Sequence, residues 1–99
     1  MSENYISIMD DIMQQFRQKP ELFIGEKNIL LLKAFLDGYF FSEKQLQPLW
    51  VGFQKFVEIH FGEVTTLSWA KIVLKHSTSQ ECAVEKFFTL YDEWRLTWQ

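Results

Sequence analysis

A chain of 99 residues fits one domain and leaves no room for a second. It is 47% hydrophobic and 17% aromatic, with ten Phe and four Trp against only four Gly and two Pro, so it carries the apolar surface a disordered segment lacks. Its formal charge of −3 argues against broad nucleic-acid binding, where a basic patch must replace the counterions around phosphates.

Cys82 is the single cysteine, so neither an intrachain disulfide nor a cysteine-rich zinc site is available. The start, Met1 to Tyr5, lacks the cationic stretch and apolar run of a signal peptide. Apolar runs such as Ile29–Leu32 fall far short of the ~20 residues that a membrane helix needs. The expectation is a cytoplasmic protein with no membrane and no nucleic-acid partner.

In chain order, the spacing predicts a first helix over Glu3–Gln18. Tyr5, Met9, Ile12, Met13 and Phe16 share its inner stripe, with Asp10, Asp11 and Gln14 facing away. Ser2 offers a cap, and Lys19-Pro20 ends the helix because a residue before proline leaves helical geometry. Glu21–Gly25 is a connector whose apolar side chains tuck under the fold, with Gly25 at a turn that wants a positive backbone angle. A second helix over Glu26–Phe41 carries Ile29, Leu32, Phe35, Leu36, Tyr39 and Phe40 on one face, widened by Leu31, and reads as the most buried. Gly38 inside it marks a close helix crossing or an early fray.

Ser42–Gln47 is a polar link, and Pro48 suits the first turn of a third helix ending at Gly62. Leu49, Trp50, Phe53, Phe56, Val57, His60 and Phe61 form its inner face. Gly62–Leu67 reads as a loop, with a brief strand over Val64–Leu67 as the alternative. Ser68 caps a short fourth helix carrying Trp69, Ile72 and Val73. After a break at His76–Ser79, Thr78 with Glu81 matches a capping box for a last helix from Gln80 to Trp98, with Val84, Phe87, Tyr91, Trp94 and Trp98 inward. Residues 1–99 thus read as one all-α domain, a compact bundle of five helices.

The chemistry-bearing residues are scattered. The four glycines are isolated, so no phosphate-cradling loop is present. His60 lies on an apolar face, where a packed imidazole bonded locally is the plain reading and a proton shuttle the alternative. Cys82 opens the last helix, which favours a thiolate, but Glu81 and Glu85 flank it and no base stands beside it in sequence. Asp10-Asp11 and Asp92-Glu93 are neighbours that point about 100° apart and read as solvated surface. No catalytic residue, metal ligand or cofactor site is expected.

One pattern points to a partner. Glu81, Glu85 and Asp92 lie within about 40° on the helical wheel, Glu93 broadens the strip, and Phe88 sits at its edge as an aromatic anchor. Such an acidic ridge complements a basic protein surface. A second, mixed line on the first helix joins Glu3, Asp10 and Arg17. Trp98, near the end, is the tryptophan most open to contact.

The run Lys19-Pro-Glu-Leu-Phe-Ile-Gly25, then Ile29 and Phe35-Leu-Asp-Gly-Tyr39, resembles small all-helical bacterial immunity proteins of contact-dependent growth inhibition and related polymorphic toxin systems. The likeness continues through Phe53–Phe61, Ser68-Trp-Ala-Lys-Ile72 and Glu85–Glu93. The resemblance implies a protein that binds and neutralises one cognate toxin domain, often a nuclease with a basic surface, in the producing cell. It transfers no contact residue, so the candidates Glu81, Glu85, Phe88, Asp92 and Glu93 rest on the ridge alone. The competing reading is a helical adaptor or regulatory subunit, homodimeric through Trp98 and the last helix. A small enzyme using Cys82 or His60 stands third.

Overall fold

The computed structural model describes residues 3–19 and 25–98, with side chains from Ser7 onward. Five helices and no strand occur among them: α1 (Glu3–Gln18), α2 (Ile29–Ser42), α3 (Gln47–Phe61), α4 (Trp69–Lys75) and α5 (Gln80–Leu96). The all-α reading holds, and Val64–Leu67 is loop. The expected roles of Ser2, Tyr5, Pro20 and Glu21–Ile24 lie outside the described residues and side chains.

The starts of α2, α4 and α5 each have a chemical cause, and two of those causes come from a distant helix. α2 begins at Ile29, three residues after the expected start, because Asn28 caps it. The Asn28 side chain accepts from Leu30 N (2.9 Å) and Leu31 N (3.1 Å). The remaining exposed donor, Ile29 N–H, reaches Gln80 Oε1 at 3.0 Å, which ties the start of α2 to the start of α5. Gln54 on α3 does the same for α4. Its Oε1 accepts from Trp69 N at 2.6 Å and its Nε2 donates to Leu67 O at 3.1 Å, while Ser68 caps conventionally through Lys71 N. For α5 the cap is Ser79, accepting from Cys82 N at 3.0 Å, and not the Thr78 box that the spacing suggests.

Helix ends are equally local. Pro48 stands in the first turn of α3, and Gly62 ends it at φ +64°, with Glu63 N–H donating back to Glu58 O at 2.9 Å. Gly25 also takes the positive φ expected of it (82°). Gly38 fits neither sequence reading: α2 runs on to Ser42, and a Cβ there would meet nothing within 4 Å.

The core is an aromatic cluster around α3. Trp50 stacks on Phe40 (centroids 4.7 Å apart) and Phe53 (4.9 Å), and meets Trp94 edge-on at 5.7 Å and Trp69 at 6.0 Å. Phe53 in turn packs edge-on against Trp69 (5.2 Å), Trp94 (5.4 Å) and Phe87 (5.6 Å). Rings from α2, α3, α4 and α5 therefore interlock at geometries that aromatic quadrupoles favour.

Burial corrects the rank order of the helices. The helix that encloses the most side chains is α5, with Ala83, Val84, Phe87, Phe88, Leu90, Tyr91 and Trp94. On α2 only Ile29, Leu32, Leu36 and Phe40 are enclosed, and Leu31, expected to widen the face, is exposed together with Leu30 and Phe41. Helix α2 is apolar nearly all round, so composition overstated its burial. Leu46, read as part of a polar link, is buried under the α2–α3 turn.

Two substitutions test this account by urea unfolding. Phe53→Ala, which removes a fully buried ring, should cost about 3–5 kcal/mol. Gly38→Ala should add roughly 0.5–1 kcal/mol, since the site is exposed, helical and open to a methyl group.

Candidate protein-contact surface

The residues singled out from sequence occupy the α1–α5 seam. Helix α1 lays Met9, Met13 and Phe16 into the core, and the polar residues flanking that stripe turn toward α5. Asp10, expected to face solvent, instead receives a bidentate contact from Arg95: Nε to Oδ1 at 2.8 Å and Nη2 to Oδ2 at 2.7 Å. Tyr91 OH adds a third bond to Oδ1 at 2.7 Å. The Arg95 hydrogen bonds hold the Asp10 carboxyl below its ordinary value of 3.8, against a partial opposing effect of burial. Burial and the Asp10 hydrogen bond push the Tyr91 phenol upward.

Two turns further along α1, Arg17 completes the seam. Its Nη2 donates to Asp92 Oδ1 at 2.6 Å and to Phe88 O at 3.2 Å, and its guanidinium lies 5.2 Å above the Phe88 ring. The mixed line of Asp10 and Arg17 on α1 is therefore an intramolecular docking line, and the side chain of Glu3 lies outside the described ones.

This seam changes the ridge. Phe88, expected at an exposed edge, is only 8% exposed because Arg17 and α1 cover it. Asp92 is paired to Arg17, Glu81 lies 3.4 Å from Lys27, and Glu93 lies 3.8 Å from His60. Among the described residues Glu85 of the ridge has no ion-pair partner, and Glu93 faces a histidine that is cationic only when protonated. The strip is real in register, with two of its four acids, Glu81 and Asp92, paired to cations within the fold.

The other singled-out groups are placed as follows. His60 is exposed, not enclosed, with its ring against Phe61 (4.7 Å) and over Phe56 (6.1 Å). Cys82 is half-buried, and hydrogen bonding to the Thr78 backbone and hydroxyl lowers its thiol, with smaller contributions from Ser77 and from Lys86 one turn on. The cation Lys86 therefore does act on the thiol, although sequence neighbours alone suggested only acids. Trp98 packs edge-on against Trp94 at 4.7 Å and under Arg95 at 4.5 Å, which leaves it half-buried.

A different surface emerges on the outward side of α3. Val51 is 71% exposed and Ile59 70%, two turns apart, with exposed Lys55 between them. At 100° per residue, positions 48, 51, 52, 55 and 59 fall within an arc of about 100° opposite the buried Trp50, Phe53 and Val57. Both ends of the strip are extended by neighbouring segments. Phe41, 74% exposed, shares a shallow groove of about 220 Å³ with Val51, Gln47 and Trp50. Fully exposed Val64 shares a second groove, of about 330 Å³, with Lys55 and Ile59. The result is a line of four exposed apolar side chains along α3, interrupted between Val51 and Ile59 by Lys55 and joined in the second groove by Glu58 and Glu63.

Sequence reasoning missed this strip by tracking only the inward apolar positions of α3. The signal was present: Val51 and Ile59 are apolar at positions where an amphipathic helix is polar. The chain matches no family model, no curated protein and no solved structure. Among the described residues no group of three or more candidate metal ligands occurs, and no helix is long and apolar enough to cross a membrane.

The α1–α5 seam has a pH signature. With Asp10 held below its ordinary value in the folded state, its contribution is complete above that value and is lost as pH falls through the lowered one. Urea unfolding followed from about pH 5 to about pH 2 should show this loss, and Asp10→Asn should flatten that part of the profile.

Proposed function

We propose that this chain works by binding one partner protein, and that the partner is a toxin domain which it neutralises in the producing cell. The observation that carries the binding reading is the α3 strip, with Phe41, Val51, Ile59 and Val64 exposed in one line. Several large apolar side chains exposed on one face beside polar groups are a common mark of a protein contact site. The choice of a toxin as partner follows from the likeness to immunity proteins in the segments from Lys19 to Glu93. The protein acts as a plug or clamp and not as a catalyst.

The strip supports contact better than the α5 ridge does. Ridge acids already paired with Arg17 and Lys27 must exchange one partner for another on binding, which returns little net energy. Burying the strip removes apolar surface from water, worth roughly 1.5–3 kcal/mol for each large side chain fully covered.

Growth rescue tests the proposal. A candidate toxin domain, taken from the product of the neighbouring gene, is expressed with the wild-type protein, with Val51→Asp/Ile59→Asp, and with Glu81→Lys/Glu85→Lys. Wild type and the ridge variant should restore growth, and the strip variant, shown folded by its thermal transition, should not. Continued death with wild type present would remove the neutralising role. Rescue by the strip variant but not by the ridge variant would return the contact to α5.

A further inference from the structure

We infer that this chain forms a reversible two-fold dimer through the outward face of α2, with the two α2 helices packed antiparallel. The inference goes beyond the toxin-binding role and does not depend on it.

The first ground is that this face is apolar and uncharged. The enclosed residues of α2, Ile29, Leu32, Leu36 and Phe40, fall within about 80° on the helical wheel. Opposite them, Leu30, Phe41, Ala34, Gly38 and Leu31 follow one another over an arc of about 100°, all exposed. The charged residues of α2 are Lys33 and Asp37, which stand together on the flank toward α3 and line a shallow groove with Val51 and Gln54. The other flank carries Phe35, whose ring meets Phe16 of α1 edge-on at 5.0 Å. Each end of the helix is followed by one charge of each sign, Glu26 with Lys27 and Glu43 with Lys44, so the ends neither favour nor oppose a partner.

The second ground is the order of sizes along the stripe. Large side chains stand at its two ends, Leu30 and Leu31 at one and Phe41 at the other, with Ala34 and Gly38 between. In an antiparallel pair, a two-fold axis level with Leu36 sets Ala34 against Gly38 of the second copy and Leu31 against its Phe41. The small residues at the centre let the helix axes approach toward the lower end of the usual spacing of about 8–10 Å. The large ones then close over each other at both ends. Gly38 has no such use within the chain, since a Cβ there would meet nothing within 4 Å and α2 continues past it to Ser42.

The third ground is charge, and it selects a second copy as the occupant. A two-fold axis across antiparallel helices brings like flanks together, so the flank of Lys33 and Asp37 meets its own copy. In the register above, each Lys33 lies within about 3 Å, along the helix, of the other copy's Asp37. The intrahelical pair of Lys33 with Asp37 thereby becomes a ring of four alternating charges beside the apolar stripe. A parallel pair would instead set that flank against the uncharged one and give neither charge a second partner. Large residues placed to meet large, small to meet small, and a cation to meet an anion, each reciprocally, describe a surface that matches itself.

Sedimentation equilibrium of the intact protein tests the dimer. The wild type should associate in the micromolar range and dissociate on dilution, as suits a contact of one helix from each copy. Gly38→Glu, which puts bulk and charge at the centre of the contact, should be monomeric with its thermal transition retained. Val51→Asp/Ile59→Asp should leave the dimer intact. Lys33→Glu and Asp37→Lys should each weaken association roughly tenfold, and an equimolar mixture of the two variants should recover it as a heterodimer. A wild type still monomeric at about 100 μM would overturn the inference. So would a dimer that survives Gly38→Glu, one lost in Val51→Asp/Ile59→Asp, single charge variants as tight as wild type, or a mixture that does not recover.

Discussion

The interlocking of rings around Trp50 and Phe53 is the constraint on which the rest of the structure depends. Four helices meet through these two side chains, so the inward side of α3 is fixed by Phe40, Trp69, Phe87 and Trp94. A helix has one orientation about its axis once its buried face is set. Fixing Trp50, Phe53 and Val57 inward therefore commits Val51, Lys55 and Ile59 outward. The outward direction of the candidate contact strip is a geometric consequence of the core.

Around that core, polar side chains decide where helices start and how they join. Gln80 and Gln54 each satisfy the first backbone donor of a helix that is not their own, which couples α5 to α2 and α3 to α4. An unsatisfied buried donor is costly, so each amide fixes both the start of one helix and its place against another. Helix α1 is joined differently. Its apolar stripe is held to α5 by Asp10 with Arg95 and Tyr91, and by Arg17 with Asp92 and Phe88. The seam is accordingly responsive to acid in a way that the aromatic core is not.

These two kinds of interaction explain what could be read from the sequence. The helix pattern, Pro48, Ser68 and the positive angles at Gly25 and Gly62 were legible because each depends on residues within one turn of itself. Asn28 was equally local, but the apolar run that begins at Ile29 hid it behind an earlier start at Glu26. The role of Asp10 was not legible, since its partners lie 81 and 85 residues away and a helical wheel shows only which way a side chain leaves its own helix. The same blindness made α5 look like an acidic ridge with a free aromatic edge. A wheel cannot show that α1 lies across Phe88 and brings Arg17 to Asp92.

The strip on α3 raises a separate question, because the fold does not require it. Val51 and Ile59 are β-branched and lose side-chain freedom in a helix, so Gln, Glu or Lys at those positions would serve the helix as well or better. Exposed at about 70%, they return little packing energy to the core. Gly52 adds to the imbalance, since an exposed glycine within a helix is unfavourable by roughly 1 kcal/mol relative to alanine, and a methyl group there would meet Trp94 at an ordinary 3.7 Å. Three outward choices that work against the isolated helix, on the face opposite a tightly specified core, are locally inconsistent with the rest of the sequence. Such inconsistency is expected where a surface is shaped by what it binds.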